Sequence, residues 1–379
     1  MNELFAATPP MGWNSWNTFG EEFNEELIMQ MADVMADEGY LACGYEYLIL
    51  DDCWAETSRD ENGDLVPSHA KFPEGIEPVI DYVHSKGLKF GIYSCCGVKT
   101  CAGYPASFEH EKQDAELFAK WGVDYLKYDN CYRPVSQGSE LMYRRMGHAL
   151  RSTGRDILFA ACQWGTDNVG SWIRSTGAHT YRSSVDIRDN WESIKSIAEV
   201  RFDHIYESAQ CCHSDMDMLV CGMYGHSNNP DVHNEGCSQA EYRTHFALWA
   251  MLGSPLIIGC DLRNADDFTK ELLQNRDLIA INQDPEVRTC FKIDCESSPG
   301  TFALVKPLAG GRFAVGLFNF SENELRAPVS FWDMGLSSSF GQKLSFHDCF
   351  MHGDVGTFTD SFCVRLGAHD CSVYVATPV

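Results

Sequence analysis

One unit recurs along this chain as far as about residue 285: an amphipathic helical stretch, a glycine just past its end, and a short apolar run rich in β-branched and aromatic residues. Asn24 is placed to cap a helix carrying Leu27, Met31, Val34 and Met35 at helical spacing, and Gly39 ends it. The run Tyr45-Glu46-Tyr47-Leu48-Ile49-Leu50 follows. Ile76, Val79, Ile80 and Val83 mark a second helix, ended by Gly87 before a strand over 88–93. Leu117, Phe118 and Trp121 close a third before Gly122 and a strand over 123–131. The segment 141–150 leads to Gly154 and a strand over 156–162; later, apolar runs over 216–220 and 255–260 flank a helix over 239–251. The aromatic segment 11–19 supplies a first strand and loop. Such a unit, repeated about eight times at intervals of about 25–45 residues, predicts a (β/α)8 TIM barrel. A doubly wound open sheet would want a glycine-rich phosphate turn after its first strand, and none is present.

Past Pro285 the texture changes. Runs over 302–305, 312–320 and 373–376 are strand-like, are separated by Gly, Asn and Ser turns, and show almost no helical period. They predict a small antiparallel β-sandwich, giving a barrel over 1–286 and a sandwich domain over 287–379.

A net charge of −25 argues against nucleic-acid partners and against docking on anionic membranes. No apolar run approaches a membrane-spanning length. Met1-Asn2-Glu3-Leu4-Phe5 lacks the basic and apolar regions of a secretory leader. The 17 cysteines are odd in number and include the adjacent pairs Cys95-Cys96 and Cys211-Cys212, so a fully paired disulfide framework is excluded. A reducing cytoplasm is the simplest compartment, with most cysteines as packing residues. Cys-x-x-Cys pairs do not recur at zinc-finger spacing.

In a barrel of this kind the active site lies at the carboxyl ends of the strands. Reading those positions gives Trp16, Asp51, Asp52, Tyr93, Lys127, Asp129, Gln163, Trp164, Arg182, Asp186, Asp215, Asp217 and Asp261. Lys127 and Asp129 fall two residues apart on one side of a buried strand, where charges are costly unless partnered. A structural ion pair and a functional site both fit that spacing. Carboxylates, a few cations and indoles on one rim suit a neutral polyhydroxylated ligand, and two carboxylates in different environments suit glycoside hydrolysis. The same cluster could hold Mg²⁺ or Ca²⁺, although Lys127 and Arg182 already supply positive charge. His226 and His233, with Asn228 and Asn229, read as a polar loop over the barrel mouth rather than a metal loop, and Asp261 as a helix N-terminal carboxylate.

These residues also carry a resemblance. Thr8-Pro9-Pro10-Met11-Gly12-Trp13-Asn14-Ser15-Trp16, Asp51-Asp52-Cys53-Trp54, Gly87-Leu88-Lys89-Phe90-Gly91-Ile92-Tyr93, Lys99-Thr100-Cys101-Ala102-Gly103 and Lys127-Tyr128-Asp129-Asn130-Cys131 stand in the order of the signatures of retaining α-galactosidases. The chain resembles that melibiase type, glycoside hydrolase family 27, from about residue 8 to about 285. The resemblance implies a (β/α)8 barrel with a C-terminal β-sandwich, no metal and no diffusible cofactor, and an α-galactoside as substrate partner. Nothing in the chain excludes a homo-oligomer.

Carried over residue by residue, the resemblance makes Asp129 the nucleophile and Asp186 the acid/base of a double displacement, with their carboxyls about 5–6 Å apart. It gives Asp51 and Asp52 to the 4- and 6-hydroxyls, Trp16 to stacking beneath C6, and Tyr93, Cys101, Arg182, Gln163 and Asp217 to the rest of the pocket. Lys127 is expected to hold Asp129 ionised, and Asp186 to sit above the ordinary carboxylate range so that it begins protonated. Cys101 and Cys131 match a family disulfide. His213-Ser214 depart from the family's usual Trp-Asn, and Cys53 and Cys162 lack their usual partners. An α-N-acetylgalactosaminidase, a β-L-arabinopyranosidase and a non-catalytic galactose-binding protein are the alternatives on this scaffold.

Overall fold

The computed structural model describes residues 5–228, 236–337 and 341–379; His233 and Asn229 fall outside the described residues, as do residues 1–4 of the leader reading. Eight parallel strands form the first sheet: β1 (Met11–Asn14), β2 (Tyr47–Ile49), β3 (Lys89–Cys95), β4 (Tyr125–Asp129), β5 (Leu158–Ala161), β6 (Thr180–Arg182), β7 (His213–Asp215) and β8 (Leu256–Ile258). Consecutive strands pair from β1 through β7, and β1 pairs with β8. The ring closes through Leu219, which bridges to Ile258 and exchanges backbone hydrogen bonds with Ile257 and Gly259. The apolar run over 216–220 is thus not itself the seventh strand. It follows that strand and contributes a single bridge.

The crossover helices explain why these segments fold outside the ring. A short α1 (Trp16–Phe19) precedes α2 (Glu25–Asp37), which the Asn24 side chain caps by accepting from the Leu27 N–H at 2.9 Å. Then come α3 (Glu77–Ser85), α4 (Glu111–Trp121), α5 (Ser139–Ser152), α6 (Trp191–Phe202), α7 (Gln239–Leu252), α8 (Asp267–Leu273) and α9 (Arg276–Asn282). Gly122, at φ +86°, ends α4 in the left-handed region and turns the chain into β4.

Strand alternation then sorts side chains between two layers. Tyr47, Ile49, Tyr125, Leu158, Ala160, Met218 and Ile257 pack inside the barrel, whereas Leu48, Leu50, Leu126, Tyr128 and Phe159 face the helices. Lys127 and Asp129 share the inward parity of Tyr125, two and four residues on.

Beyond α9 the chain becomes antiparallel. A six-stranded sheet, in which Thr301–Leu308, Arg312–Asn319 and Cys371–Pro378 are adjacent strands, faces a two-stranded ribbon of Leu325–Ser330 and Ser361–Leu366. Val305, Leu317, Val329, Phe346 and Phe362 fill the space between them. The sandwich is tied to the barrel: the His369 ring stacks on Trp191 at 4.4 Å, and Arg243 pairs with Asp370 at 3.0 Å.

Candidate active site

The carboxyl ends of the strands converge on a cavity of about 360 Å³. Trp16, Asp51, Asp52, Tyr93, Cys101, Lys127, Asp129, Arg182, Asp186 and Asp217 line it. Trp164 also lines it. Asp215 does not; it ends β7 and faces a small internal void beneath, shared with Asn14 and Tyr125.

One predicted placement needs correction. The Gln163 side chain is fully buried and turned away from the cavity: its amide nitrogen donates to Thr166 Oγ1 at 2.7 Å and approaches Ser139 Oγ at 3.4 Å. Cys162 and Trp164 reach the cavity in its place, Trp164 from a left-handed backbone at φ +66°. The His213 departure also lies away from the site. His213 begins β7 and its Nε2 meets the Ala6 carbonyl at 3.0 Å, at the opposite end of the barrel, where burial pushes its pKa down to about 4. Asp261 is a cap, as its sequence suggests, accepting from the Arg263 N–H at 3.1 Å.

Asp51 is almost fully enclosed and accepts from Lys127 Nζ and Asn14 Nδ2, each at 2.7 Å. Asp52 accepts from the Cys53 N–H at 2.7 Å and the Ala102 N–H at 2.9 Å. Burial pushes the Asp52 carboxyl up, against those two N–H groups. The pair thus presents fixed, oriented acceptors.

Asp129 is buried and accepts from the Asn130 N–H at 2.8 Å and the Tyr93 hydroxyl at 3.1 Å. Burial pushes its pKa up to about 6, opposed by the charge of Lys127, the Asn130 N–H and the charge of Arg182. Lys127 is salt-bridged to Asp51 rather than to Asp129, so its charge is shared and does not keep Asp129 in the ordinary range. This corrects the expected division of labour between the two residues of β4.

Asp186 is the reverse case. Its side chain is 80% exposed, and Arg182 Nη2 donates to it at 2.7 Å. Partial burial pushes its pKa upward, but the charge and hydrogen bond of Arg182, helped by Lys127 and Arg188, outweigh that and hold Asp186 below its usual value. The same guanidinium donates through Nη1 to Asp217 at 2.8 Å; Asp217 is buried and raised, and also accepts from the Ile187 N–H at 2.8 Å. The expectation that Asp186 sits above the ordinary carboxylate range is therefore not met. The guanidinium favours its anion.

Cys101 and Cys131 form a disulfide with Cα atoms 5.2 Å apart, beside the Tyr93 hydroxyl, which lies 3.3 Å from Cys101 Sγ. Gly97 is needed behind it, because a Cβ there would meet the Cys131 carbonyl at 2.0 Å. Among the described residues, one group of three metal-type donors exists, Cys101, Asp129 and Cys131, and its two sulfurs are bonded to each other. Cys53 and Cys162 are free and buried. Asn228, read as part of a polar loop over the mouth, lines the cavity, whereas sequence reading missed Asp189, Met223 and Ser227, which belong to loops without a periodic signal.

The chain matches the family described as Alpha galactosidase A over residues 8–284 and the Alpha galactosidase C-terminal beta sandwich domain over residues 301–376. It is 41% identical to an alpha-galactosidase of Cyamopsis tetragonoloba over 372 residues, 98% of this chain and 86% of that one. Among solved structures it is similar to alpha-galactosidase I from Mortierella vinacea, with a TM-score of 0.91 and 32% identity, covering 100% of this chain and 98% of that one. It is also similar to the alpha-galactosidase from Saccharomyces cerevisiae with raffinose, at a TM-score of 0.86 and 27% identity, covering 99% and 98%. A cavity ringed by aspartates at the carboxyl ends of the strands and the sandwich behind it thus coincide with both halves of that match, and the chain belongs to the alpha-galactosidase A family.

Proposed function

We propose that this cavity removes terminal α-linked galactose from oligosaccharides or glycoconjugates by double displacement, with Asp129 as nucleophile and Asp186 as acid/base. Asp129 attacks the anomeric carbon as the glycosidic C–O bond breaks, and Asp186 gives its proton to the leaving oxygen. Asp186 then takes a proton from water, whose oxygen displaces Asp129 and releases galactose. Asp51 and Asp52 accept from the 4- and 6-hydroxyls, Trp16 stacks on the C–H face, and Tyr93, Cys101, Lys127, Arg182 and Asp217 complete the pocket. A sugar with the opposite configuration at C4 would leave a buried carboxylate unpaired, which is strongly selective.

The observation that carries this reading is the placement of Asp129 and Asp186 on one cavity with Asp51, Asp52 and Trp16, at the carboxyl ends of the barrel strands. Asp129 holds a proton more readily than Asp186 does. Bound galactoside strips water from Asp186 and so raises it, and ester formation at Asp129 then removes the competing carboxyl.

We keep the cytoplasm as the proposed compartment on the 15 free cysteines, with the Cys101–Cys131 bond as the feature that pulls the other way.

The test is a panel of p-nitrophenyl α-galactoside, N-acetyl-α-galactosaminide and β-L-arabinopyranoside, with Asp129→Asn beside the wild type. Hydrolysis of the first alone, abolished in the variant, supports the reading. Preference for either of the others reassigns the substrate, and galactose binding without wild-type turnover makes the protein a lectin.

A further inference from the structure

Asp186 is held by its own side chain at one point only, the Arg182 guanidinium, and is otherwise in solvent. Its backbone must therefore be fixed by neighbours if a proton is to arrive at the glycosidic oxygen in the right direction. On one side the Ile187 N–H donates to Asp217. On the other, three residues along, stands Asp189, a carboxylate that is only 2% exposed and has no part in the chemistry derived above.

The Asp189 carboxylate gathers a second wall of the cavity. It accepts from the Gly225 N–H at 2.7 Å and the Cys237 N–H at 3.3 Å, and the Tyr242 hydroxyl lies 2.9 and 3.0 Å from its two oxygens. Tyr242 in turn accepts from the Tyr224 N–H at 2.7 Å. Met223, Ser227 and Asn228, on the segment so gripped, line the cavity with Asp189 itself, and the Asn228 N–H donates to the Asn17 carbonyl at 2.9 Å, beside Trp16. Immediately after Asp189, Asn190 caps α6 and Trp191 stacks on His369 of the sandwich.

We infer that Asp189 is a positioning residue for the acid/base: it locks the Asp186 loop to the 223–228 wall, so that the carboxyl of Asp186 faces the leaving oxygen. A buried carboxylate is used because it alone accepts from several N–H and O–H donors at once; an amide at that place would turn an N–H toward one of them. This inference rests on Asp186 being the acid/base.

The experiment separates positioning from folding by leaving-group dependence. A dinitrophenolate departs without a proton, whereas methoxide needs one, so a misplaced acid slows only the second. kcat/KM is measured for wild type, Asp186→Asn, Asp189→Asn and Tyr242→Phe on 2,4-dinitrophenyl and methyl α-galactosides. Asp189→Asn is expected to lose about 10- to 100-fold on the methyl glycoside and less than about threefold on the dinitrophenyl one, with Tyr242→Phe showing a smaller split of the same sign. Equal losses on both substrates, or no loss, while Asp186→Asn splits them, overturn the role of Asp189. No split in Asp186→Asn overturns the assignment of the acid/base and this inference with it. Should Asp189→Asn lose its cooperative melting transition, the Tyr242→Phe comparison decides in the same way.

Discussion

Lys127 donates to Asp51 at 2.7 Å across the barrel mouth, although Asp129 lies two residues along its own strand. The ammonium gains more from this arrangement: Asp51 beside it raises the Lys127 pKa in spite of burial, and the pair is shared with Asn14. Breaking it leaves a charge enclosed at 1% exposure. Lys127→Met is expected to cost about 3 kcal/mol in denaturant unfolding, as loss of one partner of a buried pair does. It should also move the alkaline limb of activity upward, because the charge that opposes the rise of Asp129 is gone. Unchanged stability and an unchanged pH profile would show the pair to be idle.

The ionisation of the two catalytic candidates sets a pH optimum on the acid side. The singly protonated pair exists between the lowered Asp186 and an Asp129 near 6. kcat/KM for a galactoside is therefore expected to fall above about pH 6. The limb in kcat should lie higher, since bound sugar desolvates Asp186. A kcat/KM profile flat to pH 8 would contradict this.

Asp129 also weighs on stability. Its carboxyl titrates near 6 in the native state and near the ordinary value of about 3.9 when unfolded. Below about pH 4 it is protonated in both states and costs nothing. Between there and pH 6 the native state holds a proton that the unfolded chain has lost, so stability falls as pH rises. Asp129→Asn, though inactive, is expected to be more stable than wild type by about 2 kcal/mol at pH 7.5 and no different at pH 4, as read by urea unfolding.

The Cys101–Cys131 bond fixes the turn that aims the Ala102 N–H at Asp52. Cys101→Ser with Cys131→Ser is expected to raise KM about tenfold and to lower stability by about 3.6 kcal/mol, the loop-closure value for a separation of 30 residues. A loss in kcat with KM unchanged would mean that the bond acts on Asp129 and not on the sugar-binding carboxylates.

The barrel was legible because its signal is repeated: Gly39, Gly87, Gly122 and Gly154 punctuate helix and strand, and polar groups such as Asp51, Asp129 and Arg182 stand at or just past the ends of the buried strands. The sandwich was legible for the opposite reason, the loss of that beat after Pro285. Single positions were harder. Gln163 sits next in sequence to cavity residues on both sides, yet a left-handed Trp164 swings the next side chain into the cavity and leaves the glutamine behind the strand. A lone positive φ on a tryptophan has no sequence signature. The partner of Lys127 was hidden in the same way, because Asp51 lies 76 residues distant and the charge pattern along β4 points to Asp129. Asp189 was overlooked because its donors are backbone N–H groups of a loop far along the chain.

The most direct measurement is capture of the covalent intermediate. The protein is incubated with 5-fluoro-α-galactosyl fluoride, digested, and its peptides are sequenced by mass spectrometry. A fluorogalactosyl ester on Asp129, turning over when the reagent is removed and failing to form in Asp129→Asn, is the expected result. A label on another residue, or multiple turnovers that release inverted sugar with no label at all, would contradict the double displacement.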